Sequence, residues 1–235
     1  MTIPMANHVE PSAKTQHYEA KSSGYHSSSD RDRRILELVG GPGLRVLDAA
    51  CGPGHVGAVM RGAGNRVVCA ELSASAAAEA RKVLEEVHVL DLEEPWVPVL
   101  GAETFDVVFL GEVLEHVFDP VQVLSEARKV LVPGGRVVIT TPNFMVWIAR
   151  LQILFGRFRY QKYGLFDFGH IRWFTYKYLK QVLDESGFAL EEERHMSHPK
   201  QLDRVVGRWP SLLALYFLVS ARKTASSAGG VRREL

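Results

Sequence analysis

Val46-Leu47-Asp48-Ala49-Ala50-Cys51-Gly52-Pro53-Gly54 is a hydrophobic run that enters a glycine turn, with an acid four residues before the first glycine. Glycines there let backbone pass close to a ligand with no Cβ in the way. Asp48 places negative charge at the carboxyl end of a strand, where open α/β sheets bind their ligands. An acid in that place repels phosphate and suits a ligand that is cationic or offers hydroxyl donors. Gly52, Gly54 and Gly57 also spell G-x-G-x-x-G, and Glu71 lies at about the spacing of a ribose-binding acid. On these residues alone a dinucleotide site, a site for a cationic nucleoside ligand and a plain strand-to-helix turn all remain open.

Working outward, strand-like and helix-like patterns alternate, which predicts a parallel sheet covered by helices. The strands are read at Leu44–Ala50, Arg66–Glu71, Val87–Asp91, Phe105–Leu110 and Arg136–Thr141, with two last ones at Ala189–Arg194 and Leu213–Ala221. Helices are read over about Gly54–Arg61, from the N-cap Ser73 to Lys82, over Pro120–Leu131 as far as Pro133-Gly134-Gly135, and over Tyr176–Ser186. FDVVFL at Phe105–Leu110 is apolar on both faces, as a central parallel strand must be. The expected fold is therefore α/β: a single doubly wound, Rossmann-like, seven-stranded sheet with an antiparallel C-terminal hairpin. Residues 1–40 read as an N-terminal tail and lid segment, 41–223 as the domain, with an inserted lid at 143–175 after the fifth strand. Residues 224–235 read as a flexible tail.

Composition narrows the classes. The chain has 235 residues, 46% hydrophobic and 23% charged, enough for one sizeable α/β domain. A net charge of +1 supplies no strong field toward nucleic acid or an anionic membrane, so neither is an expected partner. Cys51 and Cys69 are the only cysteines, too few for a disulfide framework or a zinc knuckle. No stretch has the roughly 18 consecutive apolar residues of a membrane span, and no signal pattern opens the chain, so the expected location is cytoplasmic. Oligomeric state is not legible.

With the motifs laid out, the chain resembles class I S-adenosylmethionine-dependent methyltransferases over about residues 40–222. The resemblance rests on VLDAACGPG, VVCAEL ending in Glu71, HVLDLEE with Asp91, FDVVFLGEVLEHVFDP and LVPGGRVVITTPN, in that order. It is similar to small-molecule enzymes of the ubiquinone-pathway type and to methyltransferase-like proteins associated with methionine biosynthesis. The resemblance implies S-adenosylmethionine as cofactor and S-adenosylhomocysteine as product. It places Asp48 under the methionine portion and backbone at Ala50, Gly52 and Gly54 along the amino-acid end. Glu71 accepts from the ribose hydroxyls, Leu72 packs on adenine, Asp91 and Leu92 read its amino edge, and Leu110 and Gly111 pass close to the methyl. Tyr18, Tyr25 and His26 fall in a segment that closes over the cofactor in relatives. A nicotinamide enzyme is disfavoured because Asp48 would sit near a pyrophosphate.

The acceptor side is less determined. Glu112, Glu115 and His116 follow the fourth strand at i, i+3 and i+4, the spacing of one helical face. With His170 they resemble the two-glutamate, two-histidine metal site of small-RNA 2′-O-methyltransferases. The same motif occurs in metal-free relatives, so a divalent metal is the less favoured alternative and no metal ligand is assigned. His116 and His170 are the candidate general bases, since an ordinary histidine titrates near neutrality. Glu112, Arg172 and Trp173 are the candidate acceptor contacts. Phe144, Trp147, Leu151 and Leu154 have the helical spacing of core packing, whereas Arg157, Arg159, Lys162 and Arg172 suit either an anionic acceptor or a solvated face. The expected function is transfer of a methyl group to a polar or anionic small molecule, most simply on a hydroxyl, in a bacterial biosynthetic pathway. An N-methyltransferase, a non-catalytic cofactor-binding accessory protein and an RNA 2′-O-methyltransferase are the alternatives.

Overall fold

In the computed structural model, which describes residues 29–225, the opening motif forms the strand from which the sheet is wound in both directions. This strand is β1 (Arg45–Ala49), and the others are β2 (Arg66–Glu71), β3 (Glu86–Val89), β4 (Phe105–Gly111), β5 (Leu131–Pro142), β6 (Phe188–Glu193), β7 (Met196–Ser197) and β8 (Ala214–Lys223). They lie in the order β3-β2-β1-β4-β5-β8-β6, with β7 paired to β8 off that path. The first five strands are mutually parallel, and β8 runs antiparallel to β5, β6 and β7. The chain winds outward from β1 to β3, then returns to place β4 on the other side of β1. That reversal opens a crevice at the carboxyl ends of β1 and β4, the expected ligand position in such sheets.

Helices α1 (Ser29–Val39), α2 (His55–Gly62), α3 (Ala74–Ala80), α4 (Val97–Leu100), α5 (Pro120–Val130), α6 (Trp147–Leu154), α7 (Tyr176–Glu185) and α8 (Pro210–Leu213) cover the sheet. Side chains alternate along β1: Leu47 and Ala49 join the core layer that includes Leu124 and Leu179 of α5 and α7. Val46 faces the other layer, with Ile35 of α1, Met60 of α2 and Ala80 of α3. The same period of two turns Asp48 toward the α2 side.

The structure bears out the α/β fold, the mostly parallel sheet and the antiparallel C-terminal pair, with strand ends within a few residues of those expected. It adds the two-residue strand β7. Strand β5 starts at Leu131, before the Pro133-Gly134-Gly135 turn rather than after it. Between the pairs Phe105–Leu131 and Val107–Arg136 the register shifts, so the turn loops out while the strand continues on either side. Gly134 allows this with φ 75°. Part of the stretch read as an N-terminal tail is helix α1, whose buried positions 31, 35, 38 and 39 have helical spacing.

One further expectation is completed and another corrected. Cys51 and Cys69 are too few for a framework, yet the two are joined to each other as a single disulfide with Cα atoms 5.8 Å apart. Their pairing follows from β1–β2 adjacency, which brings the second residue beyond β1 beside β2. At the start of the insertion, Phe144 and Trp147 pack against Val146, Ala149 and Phe166, but Leu151 and Leu154 of α6 are exposed. The helix therefore buries only one side, and its apolar outer side is left at the surface.

Candidate functional site

The first half of the site is built by the carboxyl ends of β1, β2 and β3. Asp48 is only 2% exposed, and the Gly57 N–H at the start of α2 favours its charged form. Burial, followed by the nearby charge of Glu71, nevertheless pushes its pKa up to about 7. Its Oδ2 has no hydrogen-bond partner among the described residues. Glu71 closes the turn: Oε2 accepts from Gly52 N and Oε1 from Ser73 N, each at 2.8 Å. Burial raises the Glu71 pKa against these hydrogen bonds.

The glycines of the motif serve different ends. Gly52 has φ 53° and open space where a Cβ would point, so a ligand could approach its backbone. A Cβ on Gly57, by contrast, would lie 2.8 Å from Leu84 Cδ1 and 3.0 Å from Asp48 Oδ2, so that position is set by packing. Ala50 (φ 63°) and Glu112 (φ 54°) hold left-handed backbone at the ends of the adjacent strands β1 and β4. Non-glycine residues in that region cost about 1–3 kcal/mol and cluster at functional sites. Past β3, Asp91 Oδ1 accepts from Glu93 N at 3.1 Å, and Leu92 is buried. Leu72 is half-buried, and Leu110 points into the core with only its backbone at the sheet end beside Gly111. An orphaned buried carboxylate oxygen beside an open glycine cradle and a second buried carboxylate fits a ligand that bears a cation and hydroxyl groups. Tyr18, Tyr25 and His26 lie outside the described residues.

The second half follows β4. Leu114–His116 form a 3₁₀ turn, and the Glu115 carbonyl accepts from Ile171 N (2.9 Å) and Arg172 N (3.0 Å), which ties the 143–175 insertion to that turn. The Glu115 side chain is 1% exposed; Oε2 accepts from Thr141 Oγ1 at 3.0 Å, and Oε1 has no hydrogen-bond partner among the described residues. Burial first, then the charge of Glu112, pushes its pKa up to about 8. His116 Nδ1 is 2.8 Å from the Gly169 carbonyl and His170 Nδ1 3.2 Å from the Leu165 carbonyl. A carbonyl only accepts, so each Nδ1 carries a proton. The two rings lie 4.8 Å apart between centroids.

Glu115, His116 and His170 each bring one potential ligand atom within 4.8 Å of the others. One carboxylate and two imidazoles suit a divalent ion, and Nδ1–carbonyl bonds are how metal-held histidines are commonly oriented. Glu112 does not join them. It is ion-paired with Arg31 of α1, whose Nη2 donates to Thr140 Oγ1 at 2.9 Å and whose guanidinium lies 5.4 Å from the centre of the Tyr216 ring. Of the two other expected acceptor contacts, Trp173 is half-buried against Phe144 (4.4 Å) and near His170 (6.0 Å). Arg172 is exposed and donates to the Phe118 carbonyl. Arg31 is the residue that the sequence reading passed over; the spacing of Arg31, Ile35, Leu38 and Val39 was the available signal.

The raised carboxyls have a consequence for stability. Glu115 holds its proton more tightly folded than unfolded, so between about pH 4.5 and 8 the folded state binds more protons and stability falls as pH rises. Asp48 acts with the same sign up to about pH 7. In thermal melts Glu115→Gln is expected to match the wild type near pH 5 and to exceed it at pH 8. An equal pH slope in both proteins would refute the buried protonated carboxyl.

Comparison with known proteins places this arrangement. The methyltransferase domain pattern matches residues 25–193, well over half the chain. The chain belongs to the methyltransferase domain family. Among curated relatives it is 36% identical over 113 residues to the ubiquinone biosynthesis O-methyltransferase of Xanthomonas campestris pv. campestris, covering 46% of this chain and 47% of that one. It is 35% identical over 108 residues to an uncharacterized 37.1 kDa protein in transposon TN4556 of Streptomyces fradiae, covering 44% and 31%. The chain thus spans about half the length of the ubiquinone-pathway relative and less of the transposon protein. Among solved structures, an S-adenosylmethionine-dependent methyltransferase from Mesorhizobium loti superposes with a TM-score of 0.58 at 22% identity, covering 82% of this methyltransferase and 95% of that chain. Among the described residues, no helix of this methyltransferase is long and apolar enough to cross a membrane.

Proposed function

We propose that this methyltransferase transfers the methyl group to a hydroxyl of a polar or anionic small-molecule acceptor. The observation that carries the reading is the convergence of His116 and His170, whose rings lie 4.8 Å apart just past the end of β4. When bound, S-adenosylmethionine supplies the methyl group from its sulfonium and leaves as S-adenosylhomocysteine. Glu71 holds the ribose hydroxyls, Asp48 balances the ammonium, and the Ala50–Gly54 backbone lines the amino-acid end. Leu72 and Leu92 flank the adenine, with Asp91 at its amino edge and the Leu110–Gly111 backbone beside the methyl. The acceptor lies between Glu112 and Trp173, oriented with the help of Arg172, and its hydroxyl proton passes to a histidine Nε2. Alignment and general-base catalysis are the two contributions of the protein, the latter about 10²–10⁴-fold. The O-methyltransferase named among the relatives supports oxygen over nitrogen as the acceptor atom.

The convergence of Glu115, His116 and His170 favours a second reading, in which the three hold a divalent ion that lends Lewis acidity to the acceptor hydroxyl. One experiment addresses both readings. EDTA-stripped protein is incubated with methyl-labelled S-adenosylmethionine and metabolite fractions, with and without added magnesium, manganese or zinc, and the labelled product is identified by mass. The first reading expects an O-methyl product whose yield is indifferent to metal; recovery only with added metal establishes the second. An N-methyl product overturns the choice of oxygen.

A further inference from the structure

The 143–175 insertion hides little of its apolar surface. Ten of the seventeen large apolar or aromatic side chains exposed among the described residues fall between Ile148 and Ile171. Leu154, Phe155 and Phe168 are 75%, 70% and 69% exposed. On α6, Ile148, Leu151 and Phe155 share the i, i+3, i+7 face, while Ala149 on the other side is fully buried. Beyond α6, the exposed rings of Phe158, Tyr160 and Phe168 touch one another in sequence, with centroids 5.3 and 5.9 Å apart. The surface continues onto α8, because Arg150 Nη2 donates to Ser211 O at 3.1 Å, and Trp209 beside it is exposed.

Charge is segregated onto the same segment. Residues 144–174 contain Arg150, Arg157, Arg159, Lys162 and Arg172 against a single acid, Asp167, in a chain whose net charge is only +1. Asp167 is buried and accepts from Gly169 N at 2.7 Å. Arg150 and Arg172 donate to neutral backbone carbonyls, so their charge is not cancelled by those bonds. An exposed apolar patch of this extent marks an interaction surface. Basic side chains around apolar and aromatic ones suit the headgroup and acyl boundary of a bilayer, where amphipathic elements lie without spanning. A second copy fits poorly, since a two-fold contact would set these cations against their own equivalents.

We propose that the outer face of this insertion docks peripherally on an anionic lipid bilayer. The face belongs to the insertion whose Gly169 and His170 meet His116, so an acceptor held in the bilayer would reach the site without crossing bulk water. That extension to the acceptor rests on the functional reading above, whereas the docking does not. The acceptor class it selects is an amphiphile with a hydroxyl-bearing polar head on an apolar anchor.

Cosedimentation of the full chain with vesicles of phosphatidylcholine alone, or with about one third phosphatidylglycerol, tests the docking. Binding to the anionic vesicles is expected, weakened at least tenfold at high salt, in Leu154→Asp/Phe155→Asp and in Arg157→Glu/Arg159→Glu. Both double variants are expected to keep the wild-type melting temperature and S-adenosylmethionine affinity by calorimetry, which separates lost docking from lost folding. No binding to anionic vesicles overturns the proposal, as does binding that neither double variant weakens. A protein that is dimeric in solution and becomes monomeric in Leu154→Asp/Phe155→Asp would assign the face to a second copy and also overturn it. Loss of cofactor binding in the wild-type protein would instead strike the functional reading and leave the docking result standing.

Discussion

Glu71→Ala is expected to weaken S-adenosylmethionine binding at least tenfold. In the folded chain both carboxylate oxygens are engaged at 2.8 Å, one with Gly52 N and one with Ser73 N. The same group therefore shapes the glycine turn and offers its remaining lone pairs to a ribose. Hydrogen bonds to a charged group contribute about 1.5–3 kcal/mol each, and losing one such bond already accounts for a factor of ten. Two backbone donors, of which Ser73 N is buried, are left without that acceptor as well, so the melting temperature is expected to fall. Glu71→Gln separates the two effects. An amide oxygen can still serve one backbone N–H, so this variant should be intermediate in stability while its affinity stays low. Isothermal calorimetry that returns the wild-type dissociation constant for Glu71→Ala would reject the ribose assignment.

The second large effect is expected from His116→Ala combined with His170→Ala. If an imidazole Nε2 takes the acceptor proton, turnover of the identified acceptor should drop by about 10²–10⁴, the usual contribution of a positioned general base. Affinity for S-adenosylmethionine should be unchanged, because neither ring belongs to the β1–β3 half of the site. The pH–rate profile supplies a readout that a packing role would not move: a wild-type limb at the pKa of the base should vanish in the double variant. Near wild-type turnover would favour a neutral amine acceptor, which attacks without base assistance. The rings are also partly structural, since they pack against each other at a tilt and His170 lies near Trp173. Thermal melts of each single variant are therefore part of the experiment.

Much of the cofactor half was legible in the sequence because it is built from local rules. A strand, a glycine turn and a helix follow one another in one short stretch, and the parallel order then sets Asp48, Glu71 and Asp91 at or just past neighbouring strand ends. Period-two alternation was enough to say that Asp48 and Leu47 face opposite sides of the sheet. What remained invisible was how deeply each acid is buried. A sequence cannot tell that Asp48 is closed in behind α2 and holds its proton up to about pH 7. The negative charge of Asp48 is therefore complete only when a cation faces the carboxylate.

The acceptor half was legible in residue type and not in partnership. Glu112, Glu115 and His116 were expected on one helical face, but Glu112 adopts left-handed backbone and turns to Arg31. Arg31 lies 81 residues away in a segment with no motif, so only packing of α1 across the sheet could reveal the pair. His170 likewise joins His116 through long-range contacts of the insertion with the turn after β4. The helical spacing of Phe144, Trp147, Leu151 and Leu154 was real, yet periodicity states only that residues share a face. Whether that face is buried depends on what packs against it, and the outer part of α6 has nothing there among the described residues.

The sequence by itself therefore determined the fold class and the winding of the sheet, because backbone geometry and strand-end chemistry are short-range and repeat in a fixed order, and its motifs carried the family resemblance that implies the cofactor. Tertiary structure alone decided which acids are desolvated, which histidines meet and which apolar side chains stay outside. Those properties depend on distances between segments far apart in the chain, and both electrostatic energy and the hydrophobic effect respond to the final surroundings rather than to the order of residues.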